Sequence, residues 1–305
     1  MRKQILVVSL LIGVFLLHTG LWGQLFEENF DYLAGDALTD HGWTQIRSGT
    51  PITVSTPGLT YPGYSLSSIG NAASLVTGNG QEVKNTFTEQ TNDSLYVSFL
   101  INVGEATTAN DGIYFYLGPT DISIFSRRLT AYVRKDTSDN LAFGVAKNSG
   151  IGFTGFSYSM NTTHLIVMKY KFNPDTDDDE VSLWVDPLLS GSEPPPDRTI
   201  SSGSDASELA EIVLSQLTAS NTAPTAEVDG IRITTSWFEG QRGDCNGDGD
   251  VDLLDIITAV NHILGVTVLE GVDLWAADCN GDGDIDLLDL IGIANVILGL
   301  GECEP

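Results

Sequence analysis

The chain has 305 residues, 42% of them hydrophobic, enough for a sizeable buried core in one large domain or two smaller ones. Its 41 acidic and 14 basic side chains leave a formal charge of −27. That balance excludes a nucleic-acid partner, because binding a polyphosphate needs a basic surface that displaces counterions.

Residues 1–23 place Arg2 and Lys3 before an apolar run from Ile5 to Leu17, followed by the small residues Gly20 and Gly23. Charged, apolar and small segments in that order predict a secretory signal, and the run is short for a bilayer span; a short membrane anchor is the alternative. No later stretch reads as membrane-spanning, so the mature chain is expected to be secreted, extracellular or at the cell surface.

From Leu25 to about Trp237 the hydrophobic period is two. Leu95, Val97, Phe99 and Ile101 share one face of a predicted strand, and Ile166, Met168, Tyr170 and Phe172 share a face of another. Further runs fall at 82–87, 113–117, 129–134, 141–146, 181–185 and 228–236, separated by clusters such as "VTGNGQ" and "NPDTDDDE". Many short strands with little helical periodicity predict an antiparallel sandwich or barrel. The stretch 186–205, rich in Pro and Ser, reads as a surface loop.

The opening "LFEENFDY", the pair "HLIVMKYKF" and "EVSLWVDP", and the closing "EVDGIRITTSW" resemble the concanavalin A-like, laminin G-like jelly-roll modules of secreted bacterial proteins. The resemblance spans roughly 25–238 and implies that the first and last strands lie in one sheet. The fold alone implies no single function, since its members include carbohydrate binders, glycosidases and spacers.

"DCNGDGDVDLLD" at 244–255 returns as "DCNGDGDIDLLD" at 278–289. Oxygen-bearing residues fall at positions 1, 3, 5, 7, 9 and 12: Asp244, Asn246, Asp248, Asp250, Asp252 and Asp255, then Asp278, Asn280, Asp282, Asp284, Asp286 and Asp289. With Gly249 and Gly283 at position 6, this is the spacing of a twelve-residue calcium loop, in which position 7 contributes its backbone carbonyl. Position 12 departs from the usual hand by having Asp in place of Glu. Like charges 4 Å apart repel by roughly 1 kcal/mol in water and about 4 kcal/mol near a protein surface, so the loops are expected to be loose without a cation. Two Ca2+ ions are the predicted cofactor, calcium being favoured over magnesium by the many flexible oxygen ligands.

Neither loop has a long helix before it, and each is followed by an apolar helix closed by Gly265 or Gly299. Two such loop-helix units resemble a type I dockerin, which implies a cohesin-type partner or other surface scaffold. In that resemblance positions 10 and 11 face the partner; here they are Leu253, Leu254, Leu287 and Leu288, and Val260-Asn261 and Ala294-Asn295 stand where a basic pair would be. One unit cannot cover its helix's apolar face alone, whereas two related by a pseudo-twofold can cover each other. The expected organisation is a signal peptide at 1–23, a sandwich at 24–238, a linker at 239–243 and a dockerin-like module at 244–305.

All three cysteines lie in that module, so at least one is unpaired in a monomer. Cys279 and Cys303 bracket the second helix, whose ends stand roughly 20 Å apart. The antiparallel packing implied by the dockerin resemblance returns the end of that helix to the first loop. The expected disulfide is therefore Cys245 with Cys303, leaving Cys279 free.

Other candidates are weaker. "DTDDDE" at 175–180 reads as a solvated hairpin tip rather than a third calcium site. Trp43, Trp184 and Trp237 read as packing residues ahead of sugar-stacking platforms, and His41 and His164 as isolated histidines. No carboxylate pair on one strand, Gly-x-Ser-x-Gly or His-rich motif marks an enzyme. The sequence therefore favours a secreted, non-catalytic glycan-binding or adhesion module that carries a calcium-dependent dockerin, in extracellular polysaccharide binding or breakdown. The alternatives are a structural spacer whose calcium module caps the sandwich and a glycoside hydrolase with carboxylates from distant strands.

Overall fold

A computed structural model describes residues 23–108, 112–123, 125–189, 193–217, 223–237, 242–247, 250–269 and 271–303. The expected signal segment up to residue 22 lies outside them, as do Asp248 and Gly249 of the first loop. Two antiparallel sheets precede three helices.

The first sheet contains β1 (Gln24–Glu28), β3 (Thr53–Ser55), β4 (Ala72–Leu75), β6 (Ser94–Glu105), β12 (Thr163–Lys171), β13 (Glu180–Val185), β14 (Arg198–Ile200) and β16 (Thr225–Thr234), in the order β14-β13-β12-β6-β16-β4-β3 with β1 also on β16. The second contains β2 (Thr44–Arg47), β5 (Glu82–Gln90), β7 (Gly112–Gly118), β8 (Leu129–Lys135), β9 (Asn140–Ala146), β10 (Ile151–Phe153), β11 (Tyr158–Ser159) and β15 (Leu209–Ser215), in the order β10-β9-β8-β7-β15-β5-β2 with β11 on β9. First and last strands do pair: Glu28 lies opposite Ile231 and Glu27 opposite Arg232.

Alternation along the strands creates the core. Leu95, Val97, Phe99 and Ile101 of β6 and Ile166, Met168 and Tyr170 of β12 turn inward to meet Phe115, Phe143 and Leu214 of the facing sheet. Phe99 stacks on Phe115 with ring centroids 4.5 Å apart. Each buried Leu, Ile, Val or Phe side chain contributes about 1.5–3 kcal/mol by leaving water, which is how this portion holds together without a disulfide.

The outer face of the first sheet is covered too. Tyr96, Leu100, Leu165, Val167 and Trp184 pack beneath Tyr64, Leu66, Leu189 and Trp237. The Pro- and Ser-rich stretch is therefore more than a loop: it adds β14, accepts the Trp184 indole N–H on the Pro194 carbonyl at 2.8 Å, and pairs Glu193 with Lys169 at 2.8 Å. Period-two reading gave those outward residues no partner, because the partners come from irregular chain. Trp43, Trp184 and Trp237 are all buried, as packing residues should be.

Asp175, Thr176 and Asp177 of the acidic hairpin tip are exposed as expected, and only Asp179 departs from that solvation. Asp179 is buried, accepting Tyr170 O–H at 2.5 Å and Asn173 N–H at 2.7 Å. Lys147, wholly buried, donates to the Asp179 carbonyl at 3.0 Å and to Asp205 at 2.7 Å. The Lys147 ammonium, one residue past β9, thus supplies a cation to the Asp205 carboxylate within this cluster. The histidines are satisfied: His41 contacts Asp36 at 2.9 Å, and His164 bridges Asp186 at 2.7 Å and the Ser159 carbonyl at 2.9 Å.

The C-terminal helices are α1 (Leu253–Ile263), α2 (Gly271–Ala277) and α3 (Leu287–Ile297). Gly265 and Gly299 take positive φ, +67° and +65°, closing α1 and α3 as expected. The segment "GVDLWAA" forms α2. A small core of Cys245, Ala259, Leu269, Ala277, Cys279 and Ile293 joins the units. Among the described residues no helix is long and apolar enough to cross a membrane.

Candidate functional site

Each acidic loop is built outward from the first turn of the helix it precedes. Asp252 caps α1 by accepting the Leu254 N–H at 2.7 Å, and Asp255 accepts the Asp252 N–H at 2.7 Å. Asp286 and Asp289 repeat the reciprocal cap on α3, at 2.6 and 2.8 Å. The second oxygen of Asp255 and of Asp289 accepts the amide of Asn246 and of Asn280, each at 3.1 Å. Position 12 thereby ties the beginning of the loop to the beginning of the helix. Sequence reading assigned these carboxylates to the cation alone; the D-x-x-D spacing at the helix start was the available signal for the cap.

Both position-12 carboxylates are fully buried. In the second loop Asp278 accepts the amides of Asp282 and Gly283, both at 3.1 Å, and Asn280 accepts that of Asp282 at 2.9 Å. The acceptors are thus wrapped toward the inside of the turn. Gly247 and Gly281 at position 4 take φ of +72°, and Gly283 at position 6 takes +91°; a side chain in that region costs energy, so this geometry calls for Gly. The donor set is all oxygen. Among the described residues Arg242 alone brings a positive charge to the loops, lying 3.8 Å from the Asp278 carboxylate, donating to the Asp278 carbonyl and stacking over Trp275 at 4.7 Å. A hard divalent cation suits this chemistry: oxygen ligands, clustered charge and buried carboxylates.

The disulfide differs from the expected pairing. Cys279 is bonded to Cys303, with Cα atoms 4.7 Å apart, and Cys245 is free and buried. The length of α3 was the wrong measure, because Cys303 does not stay at its far end. Leu300 N–H donates to Asn295 O at 2.8 Å as the chain reverses at Gly299. The tail then runs back along α3, and the bridge crosses Gly292, where a Cβ would stand 2.5 Å from Cys279 Sγ. Burial, helped by the negative field of Asp255 and Asp244, pushes the Cys245 thiol up to about 12.

Leu253, Leu254, Leu287 and Leu288 are 66%, 54%, 67% and 58% exposed, and Ile257 and Ile291 continue the same two helix faces into solvent. The first loop also meets the sandwich. A cleft of about 520 Å³ is lined by residues 60–65 and by Asn246 and Asp273. Burial there raises the Asp273 carboxyl to about 6.

Paired sheets followed by two cation-type loop-helix units define a two-part β protein with an acidic docking-type module. Residues 242–298 match the family described as the dockerin type I domain. No curated protein matches the chain. Three solved structures are similar to it in fold. A heptameric SAP-like pentraxin from Limulus polyphemus is 12% identical, with a TM-score of 0.39 over 65% of this chain and 83% of that one. A basic winged bean lectin with Tn-antigen is 12% identical, with a TM-score of 0.38 over 69% and 98%. A chain from a study of endo-acting O-glycanases of the human gut microbiota is 9% identical, with a TM-score of 0.41 over 70% and 99%.

Proposed function

We propose that the protein is a secreted, non-catalytic glycan-binding or adhesion module whose calcium-dependent dockerin attaches it to a cohesin-type partner, in extracellular polysaccharide binding or breakdown. The observation that carries this reading is the duplicated loop-helix unit, with its buried Asp255 and Asp289, inside the dockerin match. Asp244, Asn246, Asp248, Asp250, Asp252 and Asp255 would hold one Ca2+, and Asp278, Asn280, Asp282, Asp284, Asp286 and Asp289 a second. Bound calcium supplies positive charge to carboxylates that otherwise repel one another. The chain's own contribution is to fix the loop ends through the helix caps, so that binding orders the helices and presents the paired leucines. A docking module fits best on a subunit that has something to deliver, which supports a glycan ligand for the sandwich.

Titrating the full chain with calcium is expected to give two equivalents bound and a gain of helical circular dichroism. Asp248→Ala with Asp282→Ala should mimic a chelator, because each change removes a central ligand. Full helicity in excess chelator overturns the calcium reading.

A second reading, a spacer capped by the calcium module, is favoured by one observation: residues 60–65 line a single cleft together with Asn246 and Asp273. Saccharide binding by the full chain on a glycan array separates the two, since a spacer binds none.

A further inference from the structure

Acid outnumbers base almost three to one in this chain, so every cation has carboxylates to choose from. Of the fourteen Lys and Arg, Arg2 and Lys3 precede the described residues. Nine of the other twelve are engaged by an acid, a carbonyl or a hydroxyl, as Lys84 is by Glu211 at 2.7 Å and Lys135 by Asp139 at 2.6 Å, and Arg134 packs closely over the Phe153 ring at 3.8 Å. The remaining two are Arg47 and Arg127, whose guanidiniums make no hydrogen bond or ion pair among the described residues.

Both lie on the same outer face of the second sheet. Arg47 ends the edge strand β2 and is paired with Glu82 of β5, which is paired in turn with Ser215 of β15. On the next strand, β7, the Tyr116 hydroxyl donates to Glu82 Oε1 at 3.1 Å, and the Ser215 hydroxyl donates to the same oxygen at 2.9 Å. Arg127, from the connection between β7 and β8, stands over the Tyr116 ring at 5.6 Å. The two arginines therefore flank a row that crosses four strands, roughly 14 Å at the sheet's usual strand spacing. Burial and the Glu82 carboxylate push the Tyr116 hydroxyl up, and the fields of Arg127 and Arg47 both oppose that rise.

Glu82 is fully buried, and its Oε2 has no hydrogen-bond partner. Neither guanidinium has collapsed onto it. Two guanidiniums above one carboxylate leave a positive charge unmatched, in a protein whose surface is otherwise acidic. The same connection carries Phe125, 87% exposed. An exposed aromatic ring two residues from Arg127, together with the two cations, matches a ligand with a flat apolar face and an acidic group.

We propose that this face of the second sheet binds an acidic glycan, a saccharide carrying carboxylate or sulfate, with Arg47 and Arg127 on the anionic groups and Phe125 against a sugar ring. This rests on the glycan-binding reading of the sandwich and names its ligand class and location.

The test uses the full, calcium-loaded chain, titrated calorimetrically with a galacturonate trisaccharide, a sulfated trisaccharide and neutral cellotriose. At least one acidic probe should bind more tightly than cellotriose and weaken as salt rises, and which of them binds tells carboxylate from sulfate. Arg47→Gln and Arg127→Gln should each weaken binding about tenfold, the loss of one charge-assisted contact. Phe125→Ala should weaken it as well. Lys171→Gln, which removes the same charge from the other sheet, should leave it unchanged. Equal binding of inorganic sulfate and the sulfated trisaccharide, or acidic binding indifferent to the double arginine substitution, overturns the proposal. Cellotriose bound as tightly as the acidic probes overturns it while leaving the glycan reading in place. Binding of no saccharide overturns both.

Discussion

Asp229 is fully buried in β16, where its carboxylate accepts the amides of Leu59 and Gly230, both at 2.6 Å. Burial dominates those hydrogen bonds and pushes its pKa up to about 7. Between about pH 4 and pH 7 the folded chain holds a proton there that the unfolded chain has released, so this group makes stability fall as pH rises through that window. Asp229→Asn removes the titration. Urea denaturation at pH 5 and pH 8 should show the variant gaining on the parent at the higher pH, by up to about 3 kcal/mol, since about two pH units of that window lie between the two measurements. A constant difference across that range refutes the assignment. The Leu59 bond also anchors the connection that carries Tyr64, whose hydroxyl donates to the Gly230 carbonyl at 2.6 Å. One buried carboxylate thus helps to lay the cover over the first sheet.

At the scale of elements, α3 and the tail that doubles back on it form one unit, joined through the Cys279–Cys303 bridge over Gly292. Gly292→Ala puts a methyl group into the space held by Cys279 and should cost about 1–3 kcal/mol. The same change in a Cys279→Ala, Cys303→Ala background should cost clearly less, because the obstructing sulfur is gone. Equal costs in the two backgrounds would show that the bridge does not rest on Gly292. What the sequence disclosed follows the same division. Strands such as β6 and β12 were legible because one face is uniformly apolar and the period is two. The loops were legible because their oxygen spacing is repeated. The tail was not, because a single glycine reverses it and no periodicity marks a reversal. Lys147 beside Asp205, and Arg47 opposite Glu82, come together only through strand order, which local sequence does not encode. The free Cys245, at the place in the first loop that Cys279 holds in the second, shows how little spacing says about pairing.

Across the whole molecule, Leu253, Leu254, Leu287 and Leu288 at the starts of α1 and α3 stay exposed. Apolar surface costs about 25 cal/mol per Å² in water, so covering these side chains is a source of docking energy. Leu253→Asp with Leu287→Asp should weaken capture of a cohesin-type partner by more than about a hundredfold in a pull-down, at some 1.5–3 kcal/mol per lost leucine, while calcium titration is unchanged. Undiminished capture by the double variant would remove these leucines from the interface.

The strand that leads toward the docking module is β16, and β16 lies in the middle of its sheet, with β6 on one side and β4 and β1 on the other. If the module is held and the sandwich is dragged by what it binds, tension enters along β16. The ladders on both flanks are then pulled in shear, so many hydrogen bonds must fail together. An edge strand would instead peel open one bond at a time. The order of strands makes this chain a strong mechanical link as well as a stable fold, because the pull arrives where the sheet is hardest to unzip.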